Sequence, residues 1–299
     1  MAPIITGLSH LANPLATPEQ LATSPSQLDG VPSDLEVSLR YAGARLTQIA
    51  GILLRLPQDI VAQAVVIFTR FWVGESGSLL EFGIKDVSAA SVYLVAKNSP
   101  LPKSPRSIVN VYALLEAKLP SLGELHGEAM DYDPDSHYVS EGTYQASRSL
   151  LMKIEAQMLR KFGFQTHVAT PYALCINYLQ ALDVIGRPKG EDVAARSFAY
   201  LNTSLLNPQL PYLTNQPSSL ATASVYLAAR ELEVKLPGGE WWEVFDVDRE
   251  ELGFLVVGML STEGFILDEQ KKWERRKIPM TVAEVEDEID RRRILNGED

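Results

Sequence analysis

Apolar residues at Leu35, Leu39, Ala42, Leu46, Ile49 and Leu53 recur every three or four positions, so they share one face of a helix. Ser33 and Glu36 at its start carry the spacing of a capping box. The next helix, opened by Pro57, is apolar through Val65, Phe68, Phe71 and Trp72, the pattern of an element buried over most of its girth. Asp86 is placed to cap a third helix and Ser104-Pro105 a fourth. A fifth aligns Leu151, Ile154, Met158 and Phe162, then stops at Arg160-Lys161 and Gly163: cations near the negative end, followed by a residue free to take positive φ. Thr170-Pro171 opens the next helix, with Thr170 as N-cap and Pro171 as its first residue. The few residues between them leave room only for an elbow.

Beyond the elbow the pattern returns. SVYLVAK at Ser91–Lys97 reappears as SVYLAAR at Ser224–Arg230, and VSAA before the first copy matches LATA before the second. Another apolar helix precedes each copy, at Pro57–Val73 and Glu191–Leu205. Trp241, Trp242 and a helix that Asp248 caps, with Glu251 three residues on, follow the second. Equivalent placement makes duplication the better explanation of the repeat. The expected fold is all-α: two tandem five-helix units over 33–165 and 166–265, joined by the elbow. Residues 1–32, rich in Ala, Thr, Ser and Pro without a sustained period, are expected to form a flexible arm. Residues 266–299 read as a charged tail with one exposed helix, capped by Thr281 and Glu284 and carrying Arg291–Arg293 in its last turn.

Composition narrows what such a chain does. At 299 residues and 46% hydrophobic content it has the material for two cores. A net charge of −11 argues against a surface that neutralises phosphates and fits protein partners. Cys175 is the sole cysteine, which leaves no disulfide or zinc-finger spacing and reads as a small core residue. No apolar run is long enough for a membrane span, and no secretory signal is recognisable, so a soluble intracellular protein is expected. The acidic stretch 119–142 reads as a long surface loop. Asp131, Asp133 and Asp135 there suggest a calcium loop, and His126 and His137 a metal site. The calcium reading fails because Ser136 stands where the sharp turn needs Gly, and Gly142 where a bidentate Glu is needed. No metal and no cofactor is expected.

Two five-helix repeats with a short elbow resemble the tandem cyclin-box fold. GILLRLPQ at Gly51–Gln58 and the helix ending RFW resemble the start of the first box in the cyclin L branch. SPRSIVNVY at Ser104–Tyr112 resembles that branch's fourth helix, and LRKFGFQTHV at Leu159–Val168 followed by PYALCINYLQAL resembles its elbow. AYLNTSL and SVYLAARELEVKLP resemble its second box. The likeness runs from about Ser33 to Gly264 and points to a transcription-type cyclin.

The resemblance implies a regulatory subunit, without catalytic residues, that binds and activates a cyclin-dependent kinase as a heterodimer. Lys97 and Glu155 match the family's kinase-facing Lys and Glu; Leu94, Leu159 and Phe164 match positions that give the kinase an apolar footing. From spacing alone, Lys97 and Glu155 read as solvated helix residues, and only the resemblance gives them the interface role; the three apolar ones read equally as core. Asn98-Ser99-Pro100 stand where family members commonly carry acidic residues, and no Arg-Ser-rich stretch occurs within these 299 residues. The branch implies a PITSLRE-type kinase, the nucleus, and RNA polymerase II transcription with a possible extension to pre-mRNA processing. No direct nucleic-acid or membrane contact is expected. The alternatives are a helical scaffold that binds no kinase and a DNA-binding factor like transcription factor IIB. The acidic charge and single cysteine weigh against the latter. No phosphate-cradling Gly-rich loop or nucleophile–base pair supports an enzyme. Thr17, Ser24, Ser99, Ser104 and Thr170 each precede Pro and are candidate phosphate acceptors.

Overall fold

The computed structural model describes residues 11–74, 77–118, 137–274 and 276–296, and among these the regular elements are all helical. The chain divides into two compact units, one formed by 16–166 with 268–299, the other by 1–15 with 167–267.

The first unit opens with two short helices, α1 (Pro18–Ala22) and α2 (Pro25–Leu28), in what the sequence reads as a structureless arm. Both use one device. Thr17 and Ser24 accept a backbone N–H from the first turn, and the following Pro occupies the first helical position. Ser26 is buried and accepts from the Leu79 N–H, so this segment belongs to the packed unit.

The body of this unit is α3 (Ser33–Leu53), α4 (Gln58–Phe71), α5 (Ile84–Ala96), α6 (Pro105–Lys118) and α7 (Glu141–Lys161). Helix α5 touches the other four. Its small residues explain this: Ser88, Ala90 and Ser91 are fully buried and let neighbouring backbones approach. Their hydroxyls are satisfied. Ser91 donates to the Val87 carbonyl, and Ser88 links the Thr47 hydroxyl of α3 to the Tyr112 hydroxyl of α6, at 2.7 and 2.6 Å. Burial raises the Tyr112 phenol far above its ordinary range, so it stays a neutral hydrogen-bonding group. Phe68, Phe71 and Trp72 of the α4 region are wholly buried and meet edge to face, with centroids 5.2–5.8 Å apart for the pairs with Trp72.

Some terminal readings shift. Helix α3 has Pro32 at its cap position and no side-chain cap; Glu36 instead accepts from Gln27 at 2.7 Å and lies near Arg40, tying α2 to α3. Helix α5 starts at Ile84 behind Gly83, which makes Asp86 its third residue and not its cap. Ser104 does cap α6, accepting from the Ser107 N–H. Helix α7 begins at Glu141 under a Ser140 cap, so the acidic loop ends two residues earlier than read; residues 119–136 lie outside the described set, His126 and the three aspartates among them.

Helix α13 (Val282–Asn296) completes this unit. The Thr281–Glu284 capping box forms reciprocally, at 3.3 and 3.0 Å. The helix is not exposed all round, because Val285 and Ile289 are buried. Glu288, also buried, accepts from Arg276, Arg291 and Arg292, and Arg292 reaches Asp34 at 2.9 Å. Partial burial opposes ionisation of Asp34 and Glu284. Arg292 and Lys272 outweigh it at Asp34; Lys277 and the Met280 and Thr281 N–H groups outweigh it at Glu284, whose pKa falls from 4.5 to about 2. Carboxylates with depressed folded pKa values stabilise above their unfolded pKa and lose that contribution as pH falls. Stability is therefore expected to drop between about pH 5 and pH 2, and Glu284→Gln to flatten part of that drop, as read by thermal melts across this window.

The second unit holds α8 (Tyr172–Ala181), α9 (Gly190–Ser204), the short α10 (Pro211–Thr214), α11 (Pro217–Glu231), a 3₁₀ turn at Trp241–Phe245, and α12 (Arg249–Trp273) up to Leu267. The repeated SVYL segments fall on α5 and α11. Ser91 and Ser224, Val92 and Val225, Leu94 and Leu227, and Ala96 and Ala229 are buried in both, and α11 packs on α8 and α9. Asp248 caps α12 through the Glu251 N–H. Helix α8 starts at Tyr172, one residue later than read; Pro171 takes the cap position with helical dihedrals, and no side chain caps that end. Cys175 is fully buried, and burial pushes its thiol up to about 11, which makes it an inert core group.

Asn13, from the expected arm, is buried in this unit. Its amide donates to the Ala169 carbonyl and accepts the Ala169 N–H at 2.9 and 2.7 Å, while its backbone exchanges two bonds with the Gln216 amide. Asn13→Ala strands the Ala169 groups and is expected to lower stability by about 1–3 kcal/mol, measurable as a shift in urea midpoint.

Candidate functional site

Helix α5 ends at Ala96, and Lys97 is its C-cap residue, a position where a cation meets the negative end of the helix. The next residues finish the stop: the Asn98 amide donates to the Leu94 carbonyl and the Ser99 hydroxyl to the Ala96 carbonyl. The Asn98-Ser99 departure from the family pattern thus satisfies carbonyls that the helix leaves open.

Packing of α5 on α7 brings Lys97 to Glu155, 58 positions away, and the two form an ion pair. Their exposures differ. The Lys97 side chain is 32% exposed and the Glu155 side chain 9%, so the carboxylate is sunk and the ammonium forms its lid. A buried carboxylate without a cation is strongly unfavourable, and this pairing removes that cost. Lys97 also lies 5.7 Å from the centroid of the Tyr93 ring, one turn back on α5. The sequence reading missed Tyr93, although an aromatic four residues before a lysine on a helix is a visible signal.

The apolar candidates separate by burial. Phe164 is 70% exposed. It follows Gly163, and both hold left-handed backbones, with φ of 62° and 54°. A non-glycine residue in that region costs roughly 1–2 kcal/mol, so the elbow keeps this ring outward against its local preference. Neighbouring contacts hold it there: Phe162 meets the Phe71 ring edge-on at 6.2 Å, and Arg70 donates to the Gln165 carbonyl at 3.3 Å. Leu159 is half-buried. Leu94 is 1% exposed and packs inside the unit, which leaves it no surface to offer a partner. Leu101, not singled out from the sequence, is 49% exposed just past the α5 stop, its N–H held by Ser99.

No group of three or more His, Cys, Asp or Glu among the described residues is arranged to hold a metal ion. No described helix is long and apolar enough to cross a membrane. What the arrangement offers is recognition: a lysine with three donors, a carboxylate with unused acceptor capacity and an exposed aromatic.

No protein-family model matches the chain. Human cyclin-L2 is 30% identical over 287 residues, 96% of this chain and 49% of its own length. Chicken cyclin-L1 is 31% identical over 288 residues, 93% of this chain and 50% of its own. The chain belongs to the cyclin family. It spans about half the length of the curated relatives it matches, and its likeness is to cyclins L1 and L2. In fold it matches a chain of the yeast RNA polymerase II CTD kinase CTDK-1 complex, with a TM-score of 0.64 over 94% of this cyclin and 84% of that chain, at 13% identity. A chain of the CAK complex from Chaetomium thermophilum matches with a TM-score of 0.54 over 87% and 78%, at 14% identity.

Proposed function

We propose that this cyclin is the regulatory subunit of a cyclin-dependent serine/threonine kinase and contacts it through Lys97, Glu155, Leu159 and Phe164. The observation that carries the reading is the Lys97–Glu155 pair at the end of α5, with the ammonium partly exposed over a buried carboxylate. Lys97 brings donors and Glu155 acceptors to main-chain groups of the kinase's regulatory helix region. Leu94 contributes by holding α5 in place, and Phe164 gives an apolar anchor of the kind that dominates interfaces. Holding that kinase helix inward completes the kinase's own Lys–Glu pair, which positions ATP phosphates. The cyclin's contribution is a population shift and not a catalytic group.

The likeness to cyclins L1 and L2 supports a PITSLRE-type partner, action in the nucleus and a role around RNA polymerase II transcription, extending to pre-mRNA processing. The fold match to the CTDK-1 complex supports the transcription side of that reading. Affinity purification with quantitative mass spectrometry, comparing wild type with folded Lys97→Ala/Glu155→Ala, tests it. One cyclin-dependent kinase is expected with wild type and depleted with the variant. Folded wild type that enriches no such kinase overturns the proposal.

A further inference from the structure

Over 252–260 helix α12 is apolar on every side. Leu252, Leu255, Val256 and Met259 are buried, whereas Phe254, Val257, Leu260 and Leu267 are 50–68% exposed. With Gly264 these four recur every three or four positions, so they form one stripe on the outer face, about 20 Å long at 1.5 Å per residue. A helix apolar all round is normally buried all round, and the outer face of α12 is not covered. Gly253 and Gly264 lie on this face, and a Cβ added at either would stand in open space. They are notches that admit side chains of a second helix.

One end of the stripe is strongly charged. Glu240, Glu243, Asp246, Asp248, Glu250 and Glu251 precede or open α12, against Arg249 as the sole base over 240–251. Asp248 caps the helix and Glu251 accepts from the Asn215 amide. The other four acids are exposed, and the ion pairs among the described residues of this unit lie elsewhere, at Asp183–Arg187 and Arg196–Glu231. Glu250 stands one turn ahead of Phe254 on the stripe itself, and exposed Glu263 flanks it between Leu260 and Leu267. The complement of this surface is apolar along its length and basic at one end. Charge weighs against two other occupants: a second copy brings its own excess of −11, and an anionic membrane repels the acidic end.

We propose that the outer face of α12 docks a basic amphipathic helix of a partner protein, its apolar side along 254–267 and its Lys or Arg residues against the acids of 240–251. Apolar anchors at helical spacing supply the contact area, as in other helix-on-helix recognition. Basic residues sit best in the last turn of a helix. The partner helix therefore runs antiparallel to α12 and brings that turn to the acidic end. The surface shares no residue with Lys97, Glu155, Leu159 and Phe164, and the proposal does not depend on the kinase reading.

The test uses the purified full chain alone, so kinase binding does not enter. Stapled two-heptad peptides with Leu at the a and d positions are titrated by fluorescence anisotropy. One carries Lys in its last turn, one carries Lys in its first turn, one carries Glu in its last turn, and one has the Leu positions scrambled. The peptide with Lys in its last turn is expected to bind at least tenfold more tightly than each of the other three. Val257→Asp, on the exposed side of α12, is expected to keep the thermal melt and lose that binding. Glu243→Lys with Glu250→Lys is expected to reverse the preference between Lys and Glu in the last turn. Equal affinity for those two peptides, no binding by any peptide, or unchanged binding by Val257→Asp each overturns the proposal. So does a wild-type dimer in sedimentation that Val257→Asp dissolves, because a second copy then covers the face.

Discussion

Lys97→Ala is expected to weaken kinase binding by roughly 30- to 1,000-fold, the equivalent of about 2–4 kcal/mol for removing one partner of a hydrogen-bonded charge at an interface. The same change uncovers Glu155, whose side chain is 9% exposed, so it also destabilises the free cyclin. The two effects need separating, and the geometry supplies the means. Lys97→Glu combined with Glu155→Lys restores an ion pair between α5 and α7. It is expected to recover much of the melting temperature lost by the single variants. It is not expected to recover kinase binding, because donors and acceptors then face the kinase main chain in exchanged places. Kinase titration by calorimetry beside thermal melts reads both. Recovery of binding by the double swap would mean that the pair acts only within the cyclin.

Phe68→Ala is expected to cost about 3–5 kcal/mol of unfolding free energy in the first unit, a large share of what a domain has. Phe68 is completely buried, stacks edge-on against Trp72, and fills the space beside Gly43 of α3, where a Cβ would overlap its ring. The neighbours are themselves large and fixed, so the site cannot collapse onto the void. Urea unfolding that separates the transitions of the two units measures the effect. A loss below about 1 kcal/mol would show that α3 and α4 close over the gap.

The helices were legible because their signals are local and repeated. Stripes such as Leu35–Leu53 and the recurrence of SVYL require one face of each element to be buried, and α5 and α11 are the buried hubs of their units. Stop signals at Arg160, Lys161 and Gly163 likewise concern only neighbouring residues, and Gly163 takes the left-handed backbone they imply. Thr17-Pro18 and Ser24-Pro25 carried the same kind of start signal as Ser104-Pro105, but they open helices of five and four residues, too short to show a period. The capping readings at Ser33, Asp86 and Thr170 failed for another reason. A polar side chain near a helix start has several partners to choose from, and for Glu36 a distant one, Gln27, prevailed.

By itself, the sequence determined the helical class, the order of the long helices, the internal repeat and the likeness to cyclin L, since each rests on periodicity or on residue strings. Tertiary structure decided which residues meet and which face solvent. It joined Lys97 to Glu155 across 58 positions, sank Leu94 and left Phe164 outside, and buried Asn13 from a segment without period. These outcomes depend on how helix faces stack, and a helical pattern specifies which face is apolar without specifying the neighbour that covers it.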